Sequence, residues 1–100
     1  MALLFSGMIL GYRCKETQKI ASGLYSKKLP SDLQRIAARK LKLLNDAAEL
    51  NDLRVPPANR LEALKGARRG QHSIRINDQW RICFRWISGN ATDVEIIDYH

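Results

Sequence analysis

Cysteine and histidine are scarce in this sequence, which has two of each: Cys14, Cys83, His72 and His100. The cysteines do not form a CxxC pair, and no Cys/His spacing suits a zinc ion. They are far apart in sequence, and nothing indicates the secreted setting that a disulfide between them would need. We therefore interpret both as reduced thiols and predict no metal site and no cofactor.

Long apolar runs are also lacking. The apolar start MALLFSGMIL has no basic region before it and is interrupted by Ser6 and Gly7, so it resembles neither a signal peptide nor a membrane span. We interpret residues 1–7 as a non-native or alternative-start extension ahead of Met8. The 100 residues are expected to form one domain, with no membrane contact and a cytoplasmic location.

Acidic residues are few, 10 against 17 lysines and arginines, which gives a net charge of +7. A small domain with such a surplus usually meets nucleic acid, an acidic protein partner or an anionic membrane surface. Seven of the 17 basic residues fall in residues 60–86, together with only two acids, Glu62 and Asp78. This stretch is therefore the first place to look for a site.

Polar and apolar residues alternate in that stretch. The period of two predicts strands over residues 71–77 and 80–87, joined by a turn at residues 77–79. One face of this hairpin would carry Arg75, Arg81 and Arg85, and the opposite, apolar face would carry both tryptophans. The arginines could simply solvate the outer face. Solvated faces usually mix charge signs, however, so the pattern favours an anion-binding face.

The remaining segments predict an α+β domain. We expect strands at residues 8–13, 60–64 and 92–97, a first helix over 15–22 and a second helix from Ser31 to about Ala48. Ser31 and Gln34 fit a capping box at the start of the second helix. Lys40 lies inside the apolar arc of that helix, where it either extends to solvent or borders a polar cleft. The N-terminal strand and both helices should pack on an antiparallel sheet.

The sequence has no Ser-His-Asp order, no closely paired carboxylates and no metal cluster. The groups that remain suit metal-free cleavage of RNA, in which a 2′-hydroxyl attacks the adjacent phosphate. His100 can act as acid or base near neutral pH, and Tyr99 can stack on a nucleobase. The cations expected to hold the phosphate are Lys65, Arg75 and Arg81.

Three pieces of the chain carry a resemblance to a known family: L-K-G within VPPANRLEALKG, then SIRINDQWRICF, then the terminal DYH. Together with RCKET and the helix RKLKLLNDAAELNDLR, they resemble the HigB group of bacterial toxins in the RelE/ParE superfamily. The resemblance implies an α+β toxin that cleaves messenger RNA on the ribosome without metal. It also implies a cognate antitoxin with a helix-turn-helix domain, which would connect the toxin indirectly to operator DNA.

The resemblance also implies roles for single positions. Lys65 matches a basic residue implicated in cleavage or RNA binding, and Arg75 and Arg81 match strand cations at the substrate phosphate. The tripeptide Asp98-Tyr99-His100 matches the functional end of these toxins. We add three further RNA-binding candidates from the basic turn and the cationic face, namely Arg68, Arg69 and Arg85.

Glu62 marks a departure from the family pattern. A better-studied branch has histidine in an L-H-P-L-K-G context, whereas this chain reads L-E-A-L-K-G. Glu62 can serve as a base, but acid chemistry at neutral pH would require a raised pKa. His72 is the only imidazole besides His100, and we do not expect it to take over the role.

Two alternatives remain open. Some relatives in the superfamily inhibit DNA gyrase by binding it, but they lack a functional tripeptide of this kind. A non-catalytic RNA-binding module would also have a basic sheet, and exposed tryptophans on that sheet would support base stacking. Trp80 and Trp86 fall on the apolar side of the predicted hairpin, which argues against this second alternative.

Overall fold

The computed structural model describes residues 8–98 and confirms the α+β fold. Two helices, α1 (Lys15–Ala21) and α2 (Ser31–Asp46), precede a four-stranded antiparallel sheet in the order β1-β2-β3-β4. The strands are β1 (Glu62–Ala63), β2 (His72–Arg75), β3 (Trp80–Ile87) and β4 (Asn90–Asp98). Three short 3-10 turns fill the connections, at Leu50–Arg54, Pro57–Asn59 and Gly66–Arg68.

The predicted N-terminal strand is reduced to two isolated bridges, which run parallel to β4. Ile9 pairs with Ala91 and Tyr12 with Val94, and the Leu10 amide donates to the Ala91 carbonyl at 2.8 Å. Between these two bridges, β4 contains a bulge. Because a bulge leaves one residue out of the ladder, the pairing is interrupted at this point and no continuous strand forms.

The bulge residue is Asp93. Cys83 pairs with Glu95 but Arg85 pairs with Thr92, so two steps along β3 correspond to three along β4. Asp93 adopts a left-handed conformation with φ of 52°. Its carboxylate lies 3.4 Å from Arg85 Nε. The bulge therefore supplies an acidic partner for one arginine of the sheet.

The core lies between α2 and one face of the sheet. Leu33, Ala37, Leu41 and Leu44 are spaced at one helical turn, and all four are fully buried. They pack against sheet residues that are equally buried, namely Ile74, Ile82, Phe84 and Val94. Each large side chain of this kind contributes about 1.5–3 kcal/mol on burial. In α1, the Thr17 hydroxyl accepts a hydrogen bond from the Ile96 amide at 2.9 Å, which ties that helix to β4.

The predicted capping box at the start of α2 is wrong. Pro30 occupies the N-cap position, and the structure has no side-chain cap there. Gln34 is buried instead: its amide oxygen accepts from the Ser26 amide at 2.9 Å, and its Nε2 donates to the Ser26 carbonyl at 2.7 Å. The preceding loop needs these bonds because its backbone is buried beside the helix. The helix also ends at Asp46, two residues before the predicted end.

Neither helix within residues 8–98 combines the length and apolar character that a membrane span requires.

Candidate functional site

Arg81 lies at the centre of the sheet, on the face opposite the helices. It is only 9% exposed, so the expectation of an open cationic surface is wrong at this position. Its Nε donates to the Ser73 hydroxyl at 2.7 Å, and its Nη2 donates to the Arg60 carbonyl at 2.6 Å. These bonds hold the guanidinium in one orientation.

Arg60 reaches Arg81 through an unusual backbone conformation. It caps the 3-10 turn Pro57–Asn59 with φ of 45°, in the left-handed region. For a residue other than glycine this conformation costs about 1–2 kcal/mol. The hydrogen bond from Arg81 to the Arg60 carbonyl offsets part of this cost and links the connection before β1 to the centre of the sheet.

A cleft of about 550 Å³ opens beside Arg81. It brings together three of the predicted site residues, Glu62, Arg75 and Arg81, which come from three different strands. Its other polar lining residues are Arg60, Asn77 and Asp78. The cleft therefore contains two buried or half-buried guanidinium groups and two carboxylates, a composition that suits an anionic, hydrogen-bonding ligand.

Both acids of residues 60–86, Glu62 and Asp78, line the cleft, so this face is less uniformly positive than the alternating pattern indicated. Glu62 Oε1 lies 3.4 Å from Arg81 Nη2, and Asp78 forms an ion pair with Arg75. The side chains of these acids are 54% and 99% exposed, respectively. Because ion pairs with such exposed groups are weak, a phosphate can compete with either carboxylate for its arginine. The pairing of β1 with β2 brings Glu62 close to Arg81, and the sequence alone does not reveal that register.

The other basic candidates lie outside this cleft. Arg68 Nη1 is 3.1 Å from Gln71 Oε1 and 3.4 Å from Glu95 Oε2. Arg85 pairs with the bulge residue Asp93, and a Cβ atom added at Gly70 would lie 2.8 Å from its Nη1. A side chain at position 70 would collide with the Arg85 guanidinium, so this close packing requires glycine there. Lys65 and Arg69 are exposed on either side of the Gly66–Arg68 turn.

Asp98 is separated from the cleft by the sheet. It pairs with Trp80 across β3 and β4, whereas Arg81 pairs with Ile97. Since paired residues share a face and neighbours alternate, Asp98 lies on the face opposite Arg81. Its Oδ2 accepts a hydrogen bond from Gln79 Nε2 at 3.1 Å. Tyr99 and His100, predicted as the acid–base and stacking groups, lie outside the described residues.

His72 faces away from the arginine cleft. It lines a second cleft of about 500 Å³ together with Trp86 and Arg54. Burial, and then the nearby Arg54 charge, lower the pKa of His72. Among the described residues its buried Nδ1 has no hydrogen-bond partner. Trp80 and Trp86 pack against the core as predicted.

Lys40, on α2, is a cation that the predicted site did not include and that contacts the segment next to the cleft wall. Its Nζ donates a hydrogen bond to Asn59 Oδ1, and Asn59 lies between two residues of the cleft wall, Ala58 and Arg60. Lys40 is half-buried and is not itself a lining residue of the cleft, so the contact links it to the segment that forms the cleft wall. In the sequence, the feature that could have pointed to this contact was the position of Lys40 inside the apolar arc of α2.

The described part of the chain contains no group of three or more His, Cys, Asp or Glu side chains placed to hold a metal ion. Cys83 is fully buried, and burial raises the pKa of its thiol, which keeps the thiol protonated and unreactive. The groups available for chemistry at the cleft are therefore its carboxylates, guanidinium groups and amides.

Comparison with known proteins gives consistent matches. A family described as RelE-like toxin of type II toxin-antitoxin system HigB matches residues 18–100. Toxin HigB-1 of Vibrio cholerae is 44% identical over 63 residues, which cover 63% of this chain and 66% of that protein. Endoribonuclease HigB of Proteus vulgaris is 38% identical over 69 residues, covering 69% and 73%. An uncharacterized protein of Haemophilus influenzae is 42% identical over 67 residues, covering 67% and 66%. The matches thus span about two thirds of the length of these relatives.

Proposed function

This chain belongs to the HigB family of RelE-like toxins of type II toxin-antitoxin systems, and from that membership we propose that it is an endoribonuclease that cleaves messenger RNA on the ribosome. The name of the Proteus vulgaris relative, Endoribonuclease HigB, supports the activity. A type II system implies an antitoxin partner. We further propose that this partner has a helix-turn-helix domain, that it connects the toxin to operator DNA, and that the toxin acts in the cytoplasm.

The observation that carries the proposal is the fixed orientation of Arg81 in the wall of the cleft. Nε and Nη2 are held by Ser73 and Arg60, so the guanidinium needs little reorganisation when substrate arrives. Charge gathers on the phosphoryl oxygens as RNA is cleaved, and preorganised donors stabilise such charge most effectively. We assign Nη1 of Arg81 and the Arg75 guanidinium to these oxygens.

Glu62 is the candidate base. Its half-exposed carboxylate lies beside Arg81, where it can accept the proton of a 2′-hydroxyl. The 2′-oxygen then forms a bond to phosphorus, the bond from phosphorus to the 5′-oxygen breaks, and that oxygen takes up a proton. The products are a 2′,3′-cyclic phosphate and a 5′-hydroxyl end.

The remaining candidate residues complete the proposal. We propose His100 as the proton donor and Tyr99 as a stacking group. The proposed contacts to flanking RNA are Lys65, Arg68, Arg69, Arg85 and Asp98.

The test is to incubate purified protein with translating ribosomes and map the RNA 5′ ends. We expect new 5′-hydroxyl ends inside the reading frame, both in the presence and in the absence of EDTA. Glu62→Gln and a chain ending at Asp98 should both lose most of the cleavage. Lys42→Gln is the control, because that exposed lysine pairs with Asp46 away from the cleft.

Three outcomes would reject the proposal or part of it. Arrested translation with intact messenger RNA would indicate a binding module without catalysis. Intact translation with inhibited DNA supercoiling would indicate the gyrase-binding alternative. Cleavage that disappears with EDTA while the ribosomes stay intact would reject a reaction carried by protein side chains alone.

A further inference from the structure

Lys40 is held by a buried residue whose own side chain is hydrogen-bonded to the backbone. Asn59 is fully buried, and its Nδ2 donates to the carbonyls of Leu53 at 3.1 Å and Val55 at 3.2 Å. These two bonds fix the amide so that Oδ1 is the atom left to accept from Lys40 Nζ. The lysine ammonium is therefore positioned by the connection between α2 and β1, and not only by its own flexible stem.

Among the described residues, the charges that shift the pKa of Lys40 are positive. Burial, then Arg39, then Arg75 lower the pKa of Lys40, and Arg75 lines the arginine cleft. The acceptor of Lys40 is a neutral amide, whereas Arg75 and Arg81 each have a carboxylate partner. Such a cation is partly desolvated, has no acceptor charge to compensate its own, and lies beside other cations. It therefore attracts an anion more strongly than an exposed, ion-paired cation does.

We propose that Lys40 is a substrate-positioning residue that binds an RNA backbone phosphate flanking the one held by Arg81. This proposal rests on the proposed function. Asn59 joins the two positions, because its side chain holds Lys40 while the next residue, Arg60, holds Arg81 through its carbonyl. Two successive phosphates of one strand would then be fixed relative to each other, which places the 2′-hydroxyl between them close to the candidate base.

The variant to test is Lys40→Met, which removes the charge and keeps the apolar stem. A phosphate contact that is equally strong in the bound substrate and in the transition state affects KM and leaves kcat unchanged. We expect KM for ribosomes programmed with messenger RNA to rise on the order of tenfold, with kcat within about twofold of the wild type. Lys40→Arg should recover most of the loss in KM.

Lys42→Met is the matched control. It removes the same charge from the same helix, but at an exposed position. Its KM should stay close to that of the wild type. A thermal melt of each variant separates the proposal from a purely structural role. A lower melting temperature and a lower kcat with an unchanged KM would show that Lys40 only supports the fold. Equal effects of Lys40→Met and Lys42→Met would show a general charge effect, and either result would overturn the proposal.

A second readout does not depend on cleavage. A single-stranded oligonucleotide with a 2′-deoxy sugar at the cleavage site can bind but cannot react, and each lost phosphate contact lowers the salt slope of binding by about 0.7. We expect that decrease for Lys40→Met and none for Lys42→Met. If the wild type cleaves no RNA but binds this oligonucleotide with a salt slope that Lys40→Met lowers, the proposed function falls and the Lys40 site stands. If the wild type cleaves and Lys40→Met matches it in both KM and salt slope, the Lys40 site falls and the function stands.

Discussion

Arg81 has a structural role beside the catalytic role that we propose for it. Its Nε satisfies the buried Ser73 hydroxyl, and its Nη2 satisfies the carbonyl of the left-handed Arg60. Truncating it to alanine leaves both groups without this donor, and an unsatisfied buried group such as the Ser73 hydroxyl costs about 1–3 kcal/mol. Lost activity in Arg81→Ala would therefore not separate a catalytic effect from lost stability. The burial of Arg81 makes that variant a poor test of catalysis.

Arg81→Lys is the better variant at this position. The ammonium keeps the charge and the stem but cannot form the fork of hydrogen bonds to Ser73, Arg60 and a phosphate together. We expect kcat for RNA cleavage to fall by about 10²–10³, the usual effect of removing one donor to a developing oxyanion. Urea unfolding should show that the protein is still folded at the assay temperature. A folded Arg81→Lys protein with the wild-type kcat would contradict the assignment.

The lowered pKa of His72 leads to a prediction of how the free energy of unfolding depends on pH. Burial and Arg54 lower its pKa in the folded protein below that in the unfolded chain, so the unfolded chain binds the proton first as pH falls. The free energy of unfolding should therefore decrease as pH drops below about 6.5, the unperturbed value. Urea unfolding of the wild type and His72→Gln between pH 7.5 and 5 measures the difference. The variant should lose less stability over this range, and parallel curves would count against His72 as the source.

At the scale of the elements, the β3–β4 hairpin has one residue that is poorly suited to its backbone conformation. Ser88 and Gly89 both have positive φ, 51° and 81°, as a two-residue type I′ turn requires. Asparagine adopts this conformation more readily than serine does, and Asn-Gly is the preferred pair. Ser88→Asn should raise the free energy of unfolding by about 0.5–1 kcal/mol in urea titrations. Ser22→Asn, at a position with φ of −87°, is the control and should bring no such gain.

The sequence predicts the elements better than it predicts the site. Alternation from Trp80 to Trp86 marks β3, and the predicted bounds of residues 80–87 agree with the structure. The pairing of Glu62 with Arg81 could not be predicted in this way, because it depends on the register of a two-residue strand against β2. The left-handed Arg60 and the buried Gln34 are likewise set by neighbours that are distant in sequence. Periodicity reports which face a side chain is on, but not which partner it meets there.

At the scale of the whole molecule, the ion-paired arginines on and beside the sheet account for little of the surplus of positive charge. Four carboxylates there pair with five arginines: Glu62, Asp78, Asp93 and Glu95 with Arg13, Arg68, Arg75, Arg81 and Arg85. These nine groups together contribute only +1, so most of the net charge of +7 comes from residues outside these ion pairs. Exposed cations on α1, α2 and the loop between them include Lys15, Lys27, Lys28, Arg35 and Arg39.

This distribution leads to a prediction about the antitoxin that a type II system implies. A net charge of +7 steers an acidic partner toward the toxin from a distance, and dissolved salt screens that attraction. We expect the association rate measured by stopped flow to fall at least tenfold between about 50 and 500 mM salt, while the dissociation rate changes little. The double variant Lys27→Gln, Lys28→Gln should lower the association rate at low salt, because both lysines are exposed. Glu62→Gln should not lower it, since it removes a negative charge. An association rate that is independent of salt would mean that binding depends on apolar contacts instead. The residues to mutate would then be Leu24 and Tyr25, which are exposed beside a groove between α1 and α2.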